Sequence, residues 1–344
     1  MLTRLLSLAL GLGLMATAAL DAQRPGNVAS EPTTPSRAFV VAHRGASFYA
    51  PEHTLPAYRL AIEQGAEYVE QDLVITRDGV LICLHDPSLE RTTNVEEIFP
   101  DRFTEVTVDG RTVRRWYPED FTLDEIKRLD AGAWYDARFA GERIPTFQEA
   151  IDTIGEAAGF FPELKNPGRL RARGFDLESA VAAALEKNGL VSATRGSRPA
   201  VHLQVFEEES VRRLARRLPT VPRSFLIGSP DLARRWLSDT GLDEVKTFAT
   251  GVAPARQLID ADPALVTRAH ARGLTVVPYT FRLRGRPAPA ALIATLPEAA
   301  RARLAEYEAS LPATPRDLTA QMRTFVDTYR VDGLFTDNPD LFPR

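Results

Sequence analysis

Glu67–Leu84 reads EYVEQDLVITRDGVLICL. Two apolar runs, Glu67–Thr76 and Val80–Leu84, are separated only by Arg77-Asp78-Gly79. Parallel strands need a crossover of about a dozen residues or more. Asp-Gly, by contrast, marks a tight hairpin, because glycine takes positive φ at little cost. The pair is therefore read as antiparallel, and that reading fixes the strand count elsewhere. Seven further apolar runs are candidate strands: Ala38–Ala42, Phe160–Lys165, Val201–Phe206, Arg223–Ile227, Thr247–Val252, Leu274–Tyr279 and Asp332–Thr336. Amphipathic stretches lie among them at Thr54–Gln64, Leu177–Asn188, Ser210–Leu218, Asp231–Ser238, Pro263–Arg272 and Pro315–Tyr329. With Val80–Leu84 set aside as the hairpin's return strand, eight parallel candidates remain. Apolar strands alternating with helices build a parallel sheet covered on both faces. Eight such units predict an α/β fold of the (β/α)8 TIM-barrel type. An open doubly wound sheet is the alternative, but no Gly-rich phosphate fingerprint follows a strand.

Two segments stand outside the repeat. Pro87–Pro145 reads as an insertion over one barrel end, and Arg282–Thr314 as a smaller Ala/Pro/Arg-rich excursion. At the start, Met1–Arg4 precedes an apolar run, Leu5–Leu20, and small residues end near Ala22. Residues 1–22 therefore read as a secretory signal peptide, 23–37 as a flexible lead-in and 38–344 as the barrel domain, exported to a periplasm or beyond. No other long apolar run exists, so no stable membrane insertion is expected after cleavage. Of 344 residues, 44% are apolar and 26% charged, which excludes a disordered or collagen-like chain. The net charge of −4 carries no basic excess for nucleic acid, and the single cysteine excludes an internal disulfide.

Polar residues gather where the predicted strands end, the face on which barrel enzymes build their sites. The first strand ends in His43-Arg44-Gly45, the hairpin's return strand in His85-Asp86, the next in Glu163-Leu164-Lys165 and the last in Thr336-Asp337-Asn338. Glu70 and Asp72 are two apart on one strand, so they share a face. A two-residue Asp78-Gly79 turn would set His85 directly opposite Asp72, with Cβ atoms on the order of 5 Å apart. Adding Glu163 gives three carboxylates without a thiol, a donor set for a hard divalent cation such as Ca²⁺ or Mg²⁺. Arg44 and Lys165 then read as anion contacts, and the two histidines as an acid and a base. Each element has a plainer reading on its own: a surface turn, a salt bridge, a half-buried histidine, a solvated strand end. Glu52 and His53 read as shaping the first helix, and His202 and His270 as structural.

The combination resembles the glycerophosphodiester phosphodiesterases, closest to their exported bacterial class. His43-Arg44-Gly45-Ala46-Ser47 followed by Ala50-Pro51-Glu52-His53-Thr54-Leu55-Pro56-Ala57-Tyr58 is similar to the family's opening signature. Glu70-Gln71-Asp72-Leu73, Leu84-His85-Asp86, Phe121–Ile126, Pro162–Lys165, Pro278-Tyr279-Thr280 and Gly333–Asp337 occur in similar form and order. Phe48 and Val277 depart from that pattern and bear on substrate range. The resemblance implies a metal-dependent barrel enzyme acting on a small glycerophosphodiester. It implies metal ligands Glu70, Asp72 and Glu163, an acid/base pair His43 and His85, and Arg44 and Lys165 at the phosphate. Two other expectations share these residues: a lipid-directed phosphodiesterase of the phospholipase D-like toxin kind, and a non-catalytic module binding a polyol phosphate. The sequence sets no oligomeric state.

Overall fold

The computed structural model describes residues 37–344 apart from 109, 287–292 and 294–297. The expected signal peptide and most of the lead-in therefore lie outside the described residues. Thirteen strands occur among the described residues: β1 (Phe39–Ala42), β2 (Tyr68–Ile75), β3 (Leu81–Cys83), β4 (Thr104–Val108), β5 (Arg111–Arg115), β6 (Gly159–Leu164), β7 (Thr194–Arg195), β8 (Arg198–Pro199), β9 (Leu203–Val205), β10 (Arg223–Ile227), β11 (Gly251–Pro254), β12 (Thr275–Val276) and β13 (Gly333–Thr336). Eight of them form a parallel sheet in the order β1-β2-β6-β9-β10-β11-β12, with β13 on the other side of β1. Backbone bonds from Asp332 N to Val276 O (3.0 Å), Phe335 N to Pro278 O (3.0 Å) and Phe281 N to Phe335 O (2.8 Å) bring the two ends together. The result is the expected barrel. The pairs β4–β5 and β7–β8 are separate antiparallel hairpins.

The helices follow from local sequence. Phe147–Ile154 buries Phe147, Ala150, Ile151 and Ile154, the i, i+3, i+4, i+7 stripe of an amphipathic helix. Thr146 and Glu149 close its start as a capping box. Thr54 caps Leu55–Glu63, with a proline in its first turn. The strand expected at Thr247–Val252 is displaced to Gly251–Pro254. Phe248 instead packs edge-on against Phe225 and Trp236, just after the helix Asp239–Val245 ends. The expected helix Pro315–Tyr329 is α-helical only to Arg323 and continues with wider π-type turns. No helix among the described residues is long and apolar enough to cross a membrane.

β2 does two jobs along its eight residues. Its lower part pairs with β1 (Val41 with Tyr68, Ala42 with Val69). Its upper part rises above the rim and pairs antiparallel with β3. The inward row is Tyr68, Glu70, Asp72, Val74. Tyr68 joins Phe39, Val41, Phe161, Val277 and Phe335 in an apolar barrel floor. Val74, with Ile82 and Leu84, joins the core of the insertion, which includes Leu89, Trp116, Phe121 and Ile126. Glu70 and Asp72 lie between these two apolar layers.

The hairpin register differs by one residue from the expectation. Leu73 pairs with Cys83, Val74 with Ile82 and Ile75 with Leu81, so Leu84, not His85, lies opposite Asp72. The loop contains Arg77-Asp78-Gly79, closed by Thr76 N to Val80 O at 3.0 Å, and Gly79 takes the left-handed conformation (φ 81°) of a three-residue hairpin.

Gly45 is required by space as well as by its φ of 84°. A Cβ there would lie 2.7–2.8 Å from backbone and Cβ atoms of Ala57. At Gly79 a Cβ meets nothing within 4 Å. Gly79→Ala is therefore expected to cost about 1–2 kcal/mol, the left-handed strain alone. Gly45→Ala is expected to cost clearly more, because the strain and the clash add. Chemical denaturation of the two variants checks the difference.

Candidate active site

The site is assembled from strand ends and the loops that follow them. Three of the non-glycine residues at positive φ border it: Arg44 (φ 58°), His53 (φ 54°) and Asn166 (φ 47°). Such strained backbone concentrates where geometry is held for function. After β1 the chain turns sharply, so that His43 points into the mouth and the Arg44 amide donates to Glu70 Oε2 at 2.6 Å. The Arg44 guanidinium then lies against Glu52 (3.0 Å) and Asp72 (3.4 Å).

Glu70, Asp72 and Glu163 are all at least nine-tenths buried. Asp72 and Glu163 are register partners on adjacent parallel strands, about 5 Å apart along the hydrogen-bonding direction. Lys165 Nζ lies 2.6 Å from Glu163 and 3.4 Å from Asp72. Burial, then the Asp72 and Glu163 charges, push the Glu70 carboxyl well above the usual carboxylate range. Burial raises Glu163 to about 7, with Lys165 opposing and Asp72 adding to the rise. Asp72 goes the other way: burial would raise it, but Lys165 and the neighbouring histidines hold it well below its ordinary value. Asp72 Oδ1 is buried without a hydrogen-bond partner. That oxygen faces the Lys165 ammonium at 3.4 Å, outside hydrogen-bond geometry, and three buried carboxylates without a thiol are a donor set of the kind a hard divalent cation takes.

Both candidate acid/base histidines are held at Nδ1 by an aspartate. His43 Nδ1 lies 2.7 Å from Asp337 Oδ1, and His85 Nδ1 lies 2.6 Å from Asp86 Oδ1. With the proton on Nδ1, each ring presents Nε2 as an acceptor. Burial, then the Arg44 charge, lower the His43 pKa. Burial, Arg44 and Lys165 pull His85 down to about 3. The shift in both rings favours the neutral imidazole. The one-residue register change does not remove His85 from the mouth, because the chain leaves β3 after Cys83 and the ring still feels the Asp72 charge.

The expected roles of Glu52 and His53 need correcting. The helix cap is Thr54. His53 is buried, with Nε2 2.8 Å from Asp72 Oδ2 and Nδ1 2.9 Å from the Tyr58 hydroxyl. Among the described residues, the group whose donor atoms lie within 4.8 Å of one another is His53, Glu70 and Asp72; Glu163, expected as the third ligand, is not in it, and His53, not expected, is. Glu52 is a hub for Arg44, Arg91 and Arg286. Asp337, visible only as part of a strand end, carries His43, and Arg91, within the insertion, pairs with Asp86. His202 stacks on Phe161 (4.3 Å) and bonds Ser224 in the barrel below the site, while His270 pairs with Asp332 outside it.

Comparison with known proteins agrees with the barrel fold. A glycerophosphodiester phosphodiesterase of Bacillus subtilis (strain 168) is 32% identical over 282 residues, covering 79% of this chain and 85% of the relative. One from Arabidopsis thaliana is 33% identical over 285 residues, covering 73% of this chain and 76% of the relative. The crystal structure of a glycerophosphodiester phosphodiesterase from Agrobacterium tumefaciens shares the fold at a TM-score of 0.58 and 24% identity, over 89% of this chain and 98% of that one. So does an Oleispira antarctica phosphodiesterase solved in complex with the product sn-glycerol-3-phosphate, at a TM-score of 0.57 and 23% identity, over 88% and 94%. Residues 43–341 match the glycerophosphoryl diester phosphodiesterase family, and the chain belongs to it.

Proposed function

We propose that this protein hydrolyses glycerophosphodiesters, deacylated phospholipids such as glycerophosphocholine, to glycerol 3-phosphate and an alcohol. The observation that carries the reading is the buried acid cluster Glu70, Asp72 and Glu163, flanked by two imidazoles each fixed at Nδ1 by an aspartate. The relatives' named activity supports the substrate class.

Glu70, Asp72 and Glu163 would hold one divalent cation, Ca²⁺ ahead of Mg²⁺, with His53, bonded to Asp72 Oδ2, orienting that carboxylate. Such an ion supplies Lewis-acid stabilisation of charge developing on the phosphoryl oxygens. Arg44 and Lys165 face the same space and neutralise the phosphate, Arg44 through the N–H groups left over from Glu52 and Asp72. Burial, then Arg44 and Lys165, keep His85 from protonating, and a bound phosphate offsets the two cations. His43, through Nε2, takes the proton of the nucleophile, which is the glycerol 2-hydroxyl or water. His85, protonated at Nε2 in the substrate complex, gives that proton to the departing alcohol. We further propose export, a reading supported by the apolar run Leu5–Leu20.

The test is turnover of a panel of glycerophosphodiesters, with intact phospholipid as a separate arm. Chelator is expected to lower turnover at least about 100-fold, and Ca²⁺ or Mg²⁺ to restore it. Recovery with Zn²⁺ alone would instead place the His53 imidazole among the ligands. Binding of the panel without hydrolysis, or preferential cleavage of intact lipid, would contradict the proposal.

A further inference from the structure

Arg286 lies in the excursion between β12 and β13. Its side chain is about nine-tenths buried. One nitrogen, Nη1, lies 3.4 Å from Asp337 Oδ2, while His43 Nδ1 occupies the other oxygen of that carboxylate at 2.7 Å. Nη2 bonds Glu52. On the opposite side Arg91 makes the matching pair of contacts, to Asp86 and to Glu52. Two guanidiniums thus join the aspartate of each histidine to one central carboxylate.

We propose that Arg286 is a positioning residue for His43. Asp337 is completely buried, and a buried carboxylate keeps one orientation only if both oxygens are partnered. Arg286 fixes the oxygen that His43 leaves free, and through it the ring orientation and the Nδ1–H tautomer. Glu52 in turn fixes Arg286. The excursion does not need Arg286 for its own attachment. Arg282 pairs with Glu308, and Arg284 donates to the carbonyls of Glu308, Ala309 and Leu311 at the end of the helix Glu298–Ser310. That division of labour leaves Arg286 for the site. The inference rests on His43 acting as the proton acceptor proposed above.

The test compares Arg286→Ala with Arg284→Ala on a glycerophosphodiester that the wild type turns over. Removing a partner one step from the reacting groups commonly costs about 10–100-fold. Arg286→Ala is expected to lower kcat by that amount while KM stays within about threefold, as for an interaction used in the transition state. Added guanidinium ion is expected to restore part of kcat, and Arg286→Lys to recover less than the wild type, because an ammonium cannot span two carboxylates in one plane. Arg284→Ala is expected to keep kcat within about threefold. Unchanged kcat in Arg286→Ala would overturn the proposal. So would equal losses in both variants without guanidinium rescue, because the loss would then belong to the excursion. A wild type inactive on the whole panel would instead sink the proposed function.

Discussion

Glu70→Gln and Asp72→Asn are expected to lower kcat by about 1,000-fold or more while the protein stays folded. A metal ion's stabilisation of transition-state charge amounts to several kcal/mol, and each 1.4 kcal/mol is about a factor of ten. The expected stability change has the opposite sign. In the absence of cation, Glu70 is buried beside Asp72 and Glu163, and like charges at that depth oppose folding. Gln keeps an oxygen to accept from the Arg44 amide and removes the charge. Glu70→Gln is therefore expected to melt at or above the wild-type temperature in chelator, and below it when cation is added, because only the wild type gains binding energy. Steady-state kinetics and paired melting curves with and without cation check both halves. A variant that merely unfolds would show neither pattern.

The second large effect concerns the two imidazoles. His43→Ala and His85→Ala are each expected to lower kcat by about 100- to 10,000-fold, the usual range for general acid–base groups. The leaving group separates their roles. An alcohol acidic enough to depart as an anion needs no proton. With a p-nitrophenyl diester, His85→Ala is expected to recover most of its loss, and His43→Ala none. Recovery in His43→Ala instead would exchange the two assignments. The two Nδ1-bound aspartates make the same distinction at lower amplitude, because each acts only through its own ring.

The barrel was legible in the sequence because its signals are local and repeated. Apolar runs alternate with amphipathic stretches, and one Asp-Gly marks the antiparallel exception. Glu70 and Asp72 were legible for the same reason, since strand period alone puts them on one face. The hairpin register was not. An Asp-Gly pair does not say whether Arg77 belongs to the loop, and the structure includes it, with Thr76 bonding Val80. His53 and Glu52 were read as helix-start residues because a cap pattern follows them. What turns His53 toward Asp72 is a left-handed backbone (φ 54°), which no periodicity encodes. Asp337 and His43 are 294 positions apart. Only closure of the barrel through β1 and β13 brings them into contact. Arg286 belongs to the same class. Its segment has no secondary-structure pattern to place it, and its partners Glu52 and Asp337 come from opposite ends of the chain. Phe248, apolar and next to a strand, was read into that strand. Its packing against Phe225 and Trp236 is a tertiary contact that overrides the local signal.

The most direct measurement is the number of divalent cations bound per chain, by equilibrium titration of metal-free protein, read alongside turnover in the same samples. One cation per chain in the wild type, with turnover rising in step with occupancy, and no binding in Asp72→Asn over the same concentrations, is the expected result. Full turnover at zero occupancy, or equal binding by Asp72→Asn, would contradict a single ion held among these carboxylates.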